Sequence, residues 1–146
     1  MQPDTVTTEV HKPTMLAYSP APIQDTSAFV YLGTPEGPGV KILEGTPEAS
    51  IQLDFNAEGM RAGLFMATRG KVELTFPNTE HATILEGEVT LTDESGQTHT
   101  YRPGDSYFIT QDQVIIWEVK GERVIKSFFN YADGTQTVPR GGSLAR

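Results

Sequence analysis

The chain contains no cysteine, which excludes disulfide staples and thiolate chemistry. Histidine is scarce: His11, His81 and His99 stand far apart, leaving little material for an imidazole-built metal site. Long apolar runs are missing. Stretches such as Val114–Trp117 fall far short of the ~20 residues that cross a membrane. Positive charge is also short: 11 basic against 19 acidic residues give a formal net charge of −8. Such a chain has nothing to neutralise a phosphate backbone, which excludes a nucleic-acid partner. Residues 1–20 lack the basic start and apolar stretch of a signal peptide, so a cytoplasmic location is expected. There is no Gly-x-Ser-x-Gly elbow and no correctly spaced phosphate-cradling glycine loop.

The 146 residues fit one domain able to bury its own core. Residues 1–39 carry six of the ten prolines, Pro3, Pro13, Pro20, Pro22, Pro35 and Pro38. Proline removes a backbone donor and pushes its predecessor toward extended geometry, so an N-terminal arm is predicted there. That arm would pack on the domain or on a partner subunit, or stay disordered. From residue 40 the apolar period is two. Ile51, Leu53 and Phe55 alternate with polar residues, as do Val72, Leu74 and Phe76, and then Val89 and Leu91. Turn signals separate the runs at Pro77-Asn78, Asp93–Gly96, Pro103–Asp105 and Lys120–Glu122. The pattern predicts an all-β antiparallel domain over residues 40–132. Strands are expected near 40–43, 49–55, 61–67, 70–76, 80–92 with a bend at Gly87, 97–101, 105–110, 113–119 and 122–131, followed by a C-terminal tail over 133–146.

The stretch Glu80–Gly96, followed by Thr100–Asp105, resembles the cupin family. A strand ends in Leu85-Glu86-Gly87, a second alternating strand follows, and the chain reaches a Pro103-Gly104-Asp105 corner. More narrowly it is similar to small cupins related to the ureidoglycine aminohydrolase domain, whose ending reads here as Gly104-Asp105, Trp117-Glu118-Val119 and Lys126. The resemblance spans roughly residues 45–132 and implies an RmlC-like jelly-roll β-barrel, commonly paired as a homodimer. Cupins of this kind hold a metal through His and Glu ligands of a first motif and a His of a second. Glu80 holds the Glu place ahead of Gly87. Phe76, Pro77, Asn78 and Thr79 stand where paired His are expected, and Ile115 stands at the remaining ligand position. Because such sites need three or more protein ligands, no metal cofactor is expected; a rebuilt divalent site at Glu80 is the alternative.

Alternation places Glu80, Ala82 and Ile84 on one strand face and turns His81 outward. Ile115, Trp117 and Val119 share another face, and Lys126 shares one with Val124 and Phe128. An apolar pocket walled by Trp117, Ile115, Ile84, Phe55 and Phe128 would suit a small organic ligand, with Tyr107 and Arg61 near it. Glu80 and Lys126 form the sharpest pair: together they would bind a carboxylated or zwitterionic molecule, run a proton transfer, or serve as a structural ion pair. The expected function is binding or converting a small amide, ureido or carboxylate metabolite. One alternative is a short cupin-type nucleoside phosphorylase, for which Arg61, Arg69 and Lys126 are the plausible phosphate donors. Another is a non-enzymatic ligand-sensing or dimerising scaffold.

Overall fold

The computed structural model describes residues 14–132, so His11 and the tail from Gly134 lie outside the described residues. The elements are β1 (Val30–Gly33), β2 (Val40–Glu44), β3 (Ala49–Ala57), β4 (Met60–Thr75), β5 (Thr79–Glu86), β6 (Val89–Thr92), β7 (Thr98–Tyr101), β8 (Ser106–Ile109) and β9 (Val114–Tyr131). All strand pairings are antiparallel. Among the described residues no helix is long and apolar enough to cross a membrane.

Two long strands organise the barrel. The first half of β4 pairs β3 and the second half of β9, while the second half of β4 pairs β2 and the first half of β9. The register breaks between Thr68 and Gly70, and there the two ladders part. One ladder runs β1-β3-β4-β9-β5-β8; the other joins β2, β4, β9, β6 and β7. Side chains from the two ladders meet inside: the rings of Phe65 and Trp117 lie edge-on with centroids 6.1 Å apart. Ile84, Val89, Val119 and Val124 are buried in the same core. This is the jelly-roll architecture of the cupin barrel.

Four details differ from the strand pattern read in the sequence. The segments expected as 61–67 and 70–76 are one strand, β4, and those expected as 113–119 and 122–131 are one strand, β9. A polar turn-like dipeptide such as Lys120-Gly121 is compatible with a strand that passes from one ladder to the next. The single bent strand expected over 80–92 is divided into β5 and β6. Gly87 sits between them with φ +78°, and a Cβ there would come 2.2 Å from the Arg123 carbonyl oxygen. Finally, Val30–Gly33 lies inside the expected arm yet forms β1, hydrogen-bonded to β3. The mostly exposed segment before it touches the barrel at two points. Tyr18 donates a 2.6 Å hydrogen bond to Asp54, and Ile23 is held through both backbone groups, its N–H by Glu86 at 2.8 Å and its carbonyl by Arg123 at 3.1 Å.

Candidate functional site

The strand register sorts the inner wall into rows. Arg61 on β4 stands opposite Asn130 on β9, which stands opposite Glu80 on β5. The next inward row holds Leu53, Gly63, Phe128, Ala82 and Tyr107, and the one after it Val30, Ile51, Phe65, Lys126 and Ile84. Against these rows lies a cavity of about 520 Å³, within the usual range for small-molecule sites. Most of its wall is apolar, including Ile51, Leu53, Phe65, Leu74 and Trp117. Its polar lining comes mainly from Arg61, Asn78, Glu80, Lys126 and Asn130, with Glu48 an exposed acid at the margin.

Glu80 and Lys126 are both buried, at 6% and 5% exposure. The Lys126 Nζ donates to Glu80 Oε2 at 2.6 Å and to the Tyr107 hydroxyl at 2.6 Å. The Tyr107 hydroxyl in turn donates to Glu80 Oε2 at 2.6 Å, and Asn130 Nδ2 donates to Glu80 Oε1 at 3.4 Å. The ammonium also lies 4.7 Å from the ring centroids of Phe65 and Trp117 and 5.3 Å from that of Tyr107. Aromatic faces attract a desolvated cation, so the rings help hold the charge that the apolar barrel would otherwise reject. Burial pushes the Glu80 carboxyl up. The Lys126 charge and the hydrogen bonds from Lys126, Tyr107 and Asn130 outweigh it and hold the group below the usual carboxylate range. Burial, reinforced by the neighbouring Glu80 carboxylate, pushes the Tyr107 phenol well above its ordinary value, so it remains a neutral donor. An ammonium has three N–H groups; two are committed to Glu80 and Tyr107, and one remains for a ligand.

The metal implied by the cupin resemblance does not suit these donors. Both Glu80 oxygens already accept protein hydrogen bonds, and an ammonium occupies the place beside them where a cation would sit. Ile115 and Phe76 are buried hydrocarbon in the core. Among the described residues no group of three or more His, Asp or Glu side chains is placed to hold a metal ion.

Of the residues singled out in the sequence, Glu80, Lys126, Trp117, Arg61 and Phe128 come together at the cavity. His81 is exposed, as alternation predicts. Five placements need correction. Phe55 does not line the cavity: a bulge between Leu53 and Phe55 inserts Asp54 as an extra residue, so Phe55 pairs with Ala62 on the outer face. Ile115 is buried as expected but borders a smaller cleft with His99, Tyr101 and Tyr107, and Ile84 is wholly packed in the core without bordering the cavity. Tyr107 does not line the cavity; it supports Glu80 and Lys126 from behind through its hydroxyl and its ring face. Arg69 is exposed and bonds the Gly121 carbonyl at 3.1 Å, away from the cavity. Asn78 and Asn130 were missed in the sequence. Asn130 lies four residues beyond Lys126 on the same strand face, so the period of two was the signal that could have found it; Asn78 lies in the bend before β5, where that period does not apply.

A family model described as an EutQ-like cupin domain matches residues 56–128, half of the chain. Similar solved structures include a putative ethanolamine utilization protein from Salmonella typhimurium, at 21% identity and TM-score 0.51, covering 57% of this chain and 69% of that one. A Pseudomonas syringae protein of unknown function matches at 20% identity and TM-score 0.63, covering 72% of this chain; the match spans 45% of that protein's length. The EutQ protein of Clostridium difficile matches at 15% identity and TM-score 0.53, covering 62% of this chain and 68% of that one. At these identities the structures show the fold alone. No curated protein matches the chain.

Proposed function

Because the chain belongs to the EutQ-like cupin domain family, half of it matching that family's model, we propose that it is a small-molecule-binding cupin. Its ligand is an amide-, ureido- or carboxylate-bearing metabolite, held in the barrel without the metal site of other cupins. The single observation that carries this reading is the roughly 520 Å³ cavity, whose apolar wall is interrupted by a buried, hydrogen-bonded Glu80–Lys126–Tyr107 cluster. An apolar chamber with a few convergent polar groups is the usual form of a ligand site. Lys126 faces the chamber with one N–H uncommitted, while Tyr107 and Glu80 fix where that N–H points.

Trp117 is the sole tryptophan and lines the cavity, so its fluorescence is a built-in reporter. Titrating the protein with a panel of small amides, ureides and carboxylates should shift or quench that emission saturably for at least one class. Native mass spectrometry of the same mixtures should show one ligand per chain. A flat fluorescence response across the panel, with no mass adduct, would overturn the proposal.

A further inference from the structure

Two polar side chains lining the cavity have hydrogen-bonding groups left unpaired among the described residues. Arg61 donates through Nε to Asn130 Oδ1 at 3.4 Å, but among the described residues its two terminal Nη nitrogens make no hydrogen bond. Asn78 is 7% exposed, lines the same cavity, and its carboxamide has no hydrogen-bond partner among the described residues. Buried polar groups in folded proteins are almost always satisfied, so the buried Asn78 calls for a reason; Arg61 is half-buried. Both lie at one end of the inner wall: Arg61 is in the row of Asn130 and Glu80, and Asn78 is two residues before Glu80.

The charges around them have a definite sign. The Glu80 carboxylate is neutralised by Lys126. Glu48 is exposed at the margin, where it faces Tyr31. Arg61 is therefore a cation inside the chamber with no counter-ion among the described residues. A guanidinium presents a planar fork of donors that matches a carboxylate, and a carboxylate has about four lone-pair sites, enough for two Nη donors and the Asn78 amide. Beyond this end, the wall is mostly hydrocarbon and aromatic, apart from the Lys126 ammonium and the exposed Glu48.

Resting on the reading of the cavity as a ligand site, we infer that Arg61 and Asn78 form an anion anchor, and that the ligand is a carboxylate with an apolar body. The head group takes the Arg61 fork and the Asn78 amide, and the body lies against Leu53, Phe65 and Trp117. Neutral amides of the same shape leave Arg61 without a counter-charge and bind weakly. Amines are rejected, because the buried carboxylate that lines the cavity, Glu80, is already occupied by Lys126.

The test uses the full chain and matched probes: hexanoate and benzoate, their primary amides, hexylamine, and inorganic phosphate, each titrated against Trp117 fluorescence. The carboxylates should bind at least about tenfold more tightly than the amides, the increment of a charge-assisted bidentate contact. Arg61→Gln should weaken the carboxylates about 10- to 100-fold and leave the amides unchanged. Arg61→Lys, which keeps the charge without the fork, should fall between. Asn78→Leu should weaken the carboxylates several-fold while leaving thermal stability unchanged or raised, because it removes an unsatisfied buried group; a merely structural asparagine would show the reverse. Amides binding as well as carboxylates, with Arg61→Gln silent, would overturn the anchor and leave the cavity reading intact. Phosphate binding more tightly than carboxylates in an Arg61-dependent way would overturn the carboxylate assignment. If no probe moves Trp117, the cavity reading fails together with the anchor.

Discussion

Lys126 and Glu80 meet at 2.6 Å although neither stands opposite the other in the sheet. Lys126 pairs with Ile84, and Glu80 pairs with Asn130, four residues further along β9. Four residues correspond to about 13 Å of strand, so both side chains must extend toward each other along the barrel wall. They span the intervening row, in which Ala82 stands opposite Phe128. A long, unbranched stem is what the lysine position requires.

Removing one member of this pair strands the other in a low-dielectric interior. Lys126→Met should cost about 3–5 kcal/mol at neutral pH, and the double variant Glu80→Gln/Lys126→Met should recover much of that loss. Urea denaturation of the single and double variants measures the coupling directly. Additive losses would mean that the pair is not an energetic unit.

The acid limb of stability should depend on Glu80. Its folded-state pKa lies below the unfolded value of about 4.3, so its contribution is complete above that value and is lost as pH falls through the folded pKa. The wild-type urea midpoint should therefore decline below about pH 5, and the decline should be shallower in Glu80→Gln. Equal slopes between pH 5 and pH 3 would contradict the assignment.

At the alkaline end the group to watch is Tyr107. Its folded-state pKa is raised, so its stabilisation is present below about pH 10 and lost only as pH rises through that higher folded value. In ultraviolet titration of the native protein, wild type and Tyr107→Phe should show the same phenolate absorbance near pH 10, where an ordinary tyrosine is half ionised and the raised Tyr107 phenol is still neutral. Denaturation should show Tyr107→Phe less stable by about 1–3 kcal/mol, because a buried carboxylate oxygen and an ammonium each lose a partner.

Gly87→Ala should be among the most damaging single-methyl additions in the chain. The backbone is at φ +78° and the new Cβ would approach the Arg123 carbonyl oxygen to 2.2 Å. A loss of at least about 2 kcal/mol is expected, read as a fall in Tm. Gly104→Ala has positive φ but nothing within 4 Å, so it should cost less.

The arm contact can be tested without touching the cavity. Arg123 bridges the Glu86 carboxylate at 2.7 Å and the Ile23 carbonyl at 3.1 Å. Arg123→Ala should speed hydrogen exchange and proteolysis in residues 14–28 while lowering global stability by no more than about 1 kcal/mol, since the ion pair is partly exposed. Unchanged exchange in that segment would show that other contacts hold it.

Residue order alone carried the all-β class, the Gly87 and Gly104 corners, the outward His81 and the inward faces of Glu80 and Lys126. These follow from a period of two and from turn chemistry, which are local properties. It also carried the cupin family, through the run from Glu80 to Asp105. Tertiary structure decided the rest. Phe55 left the wall because one bulge shifted the register, and a bulge depends on how Gly63 approaches the Gln52 backbone across the ladder. Phe65 and Trp117 became neighbours because the sheet rolls, which brings together residues that no sequence spacing relates. Whether Val30–Gly33 was arm or strand, and whether Arg61 and Asn78 had partners, depended on which chain segments came alongside. Periodicity tells which side of a strand a residue takes; only closure of the sheet tells what it meets there.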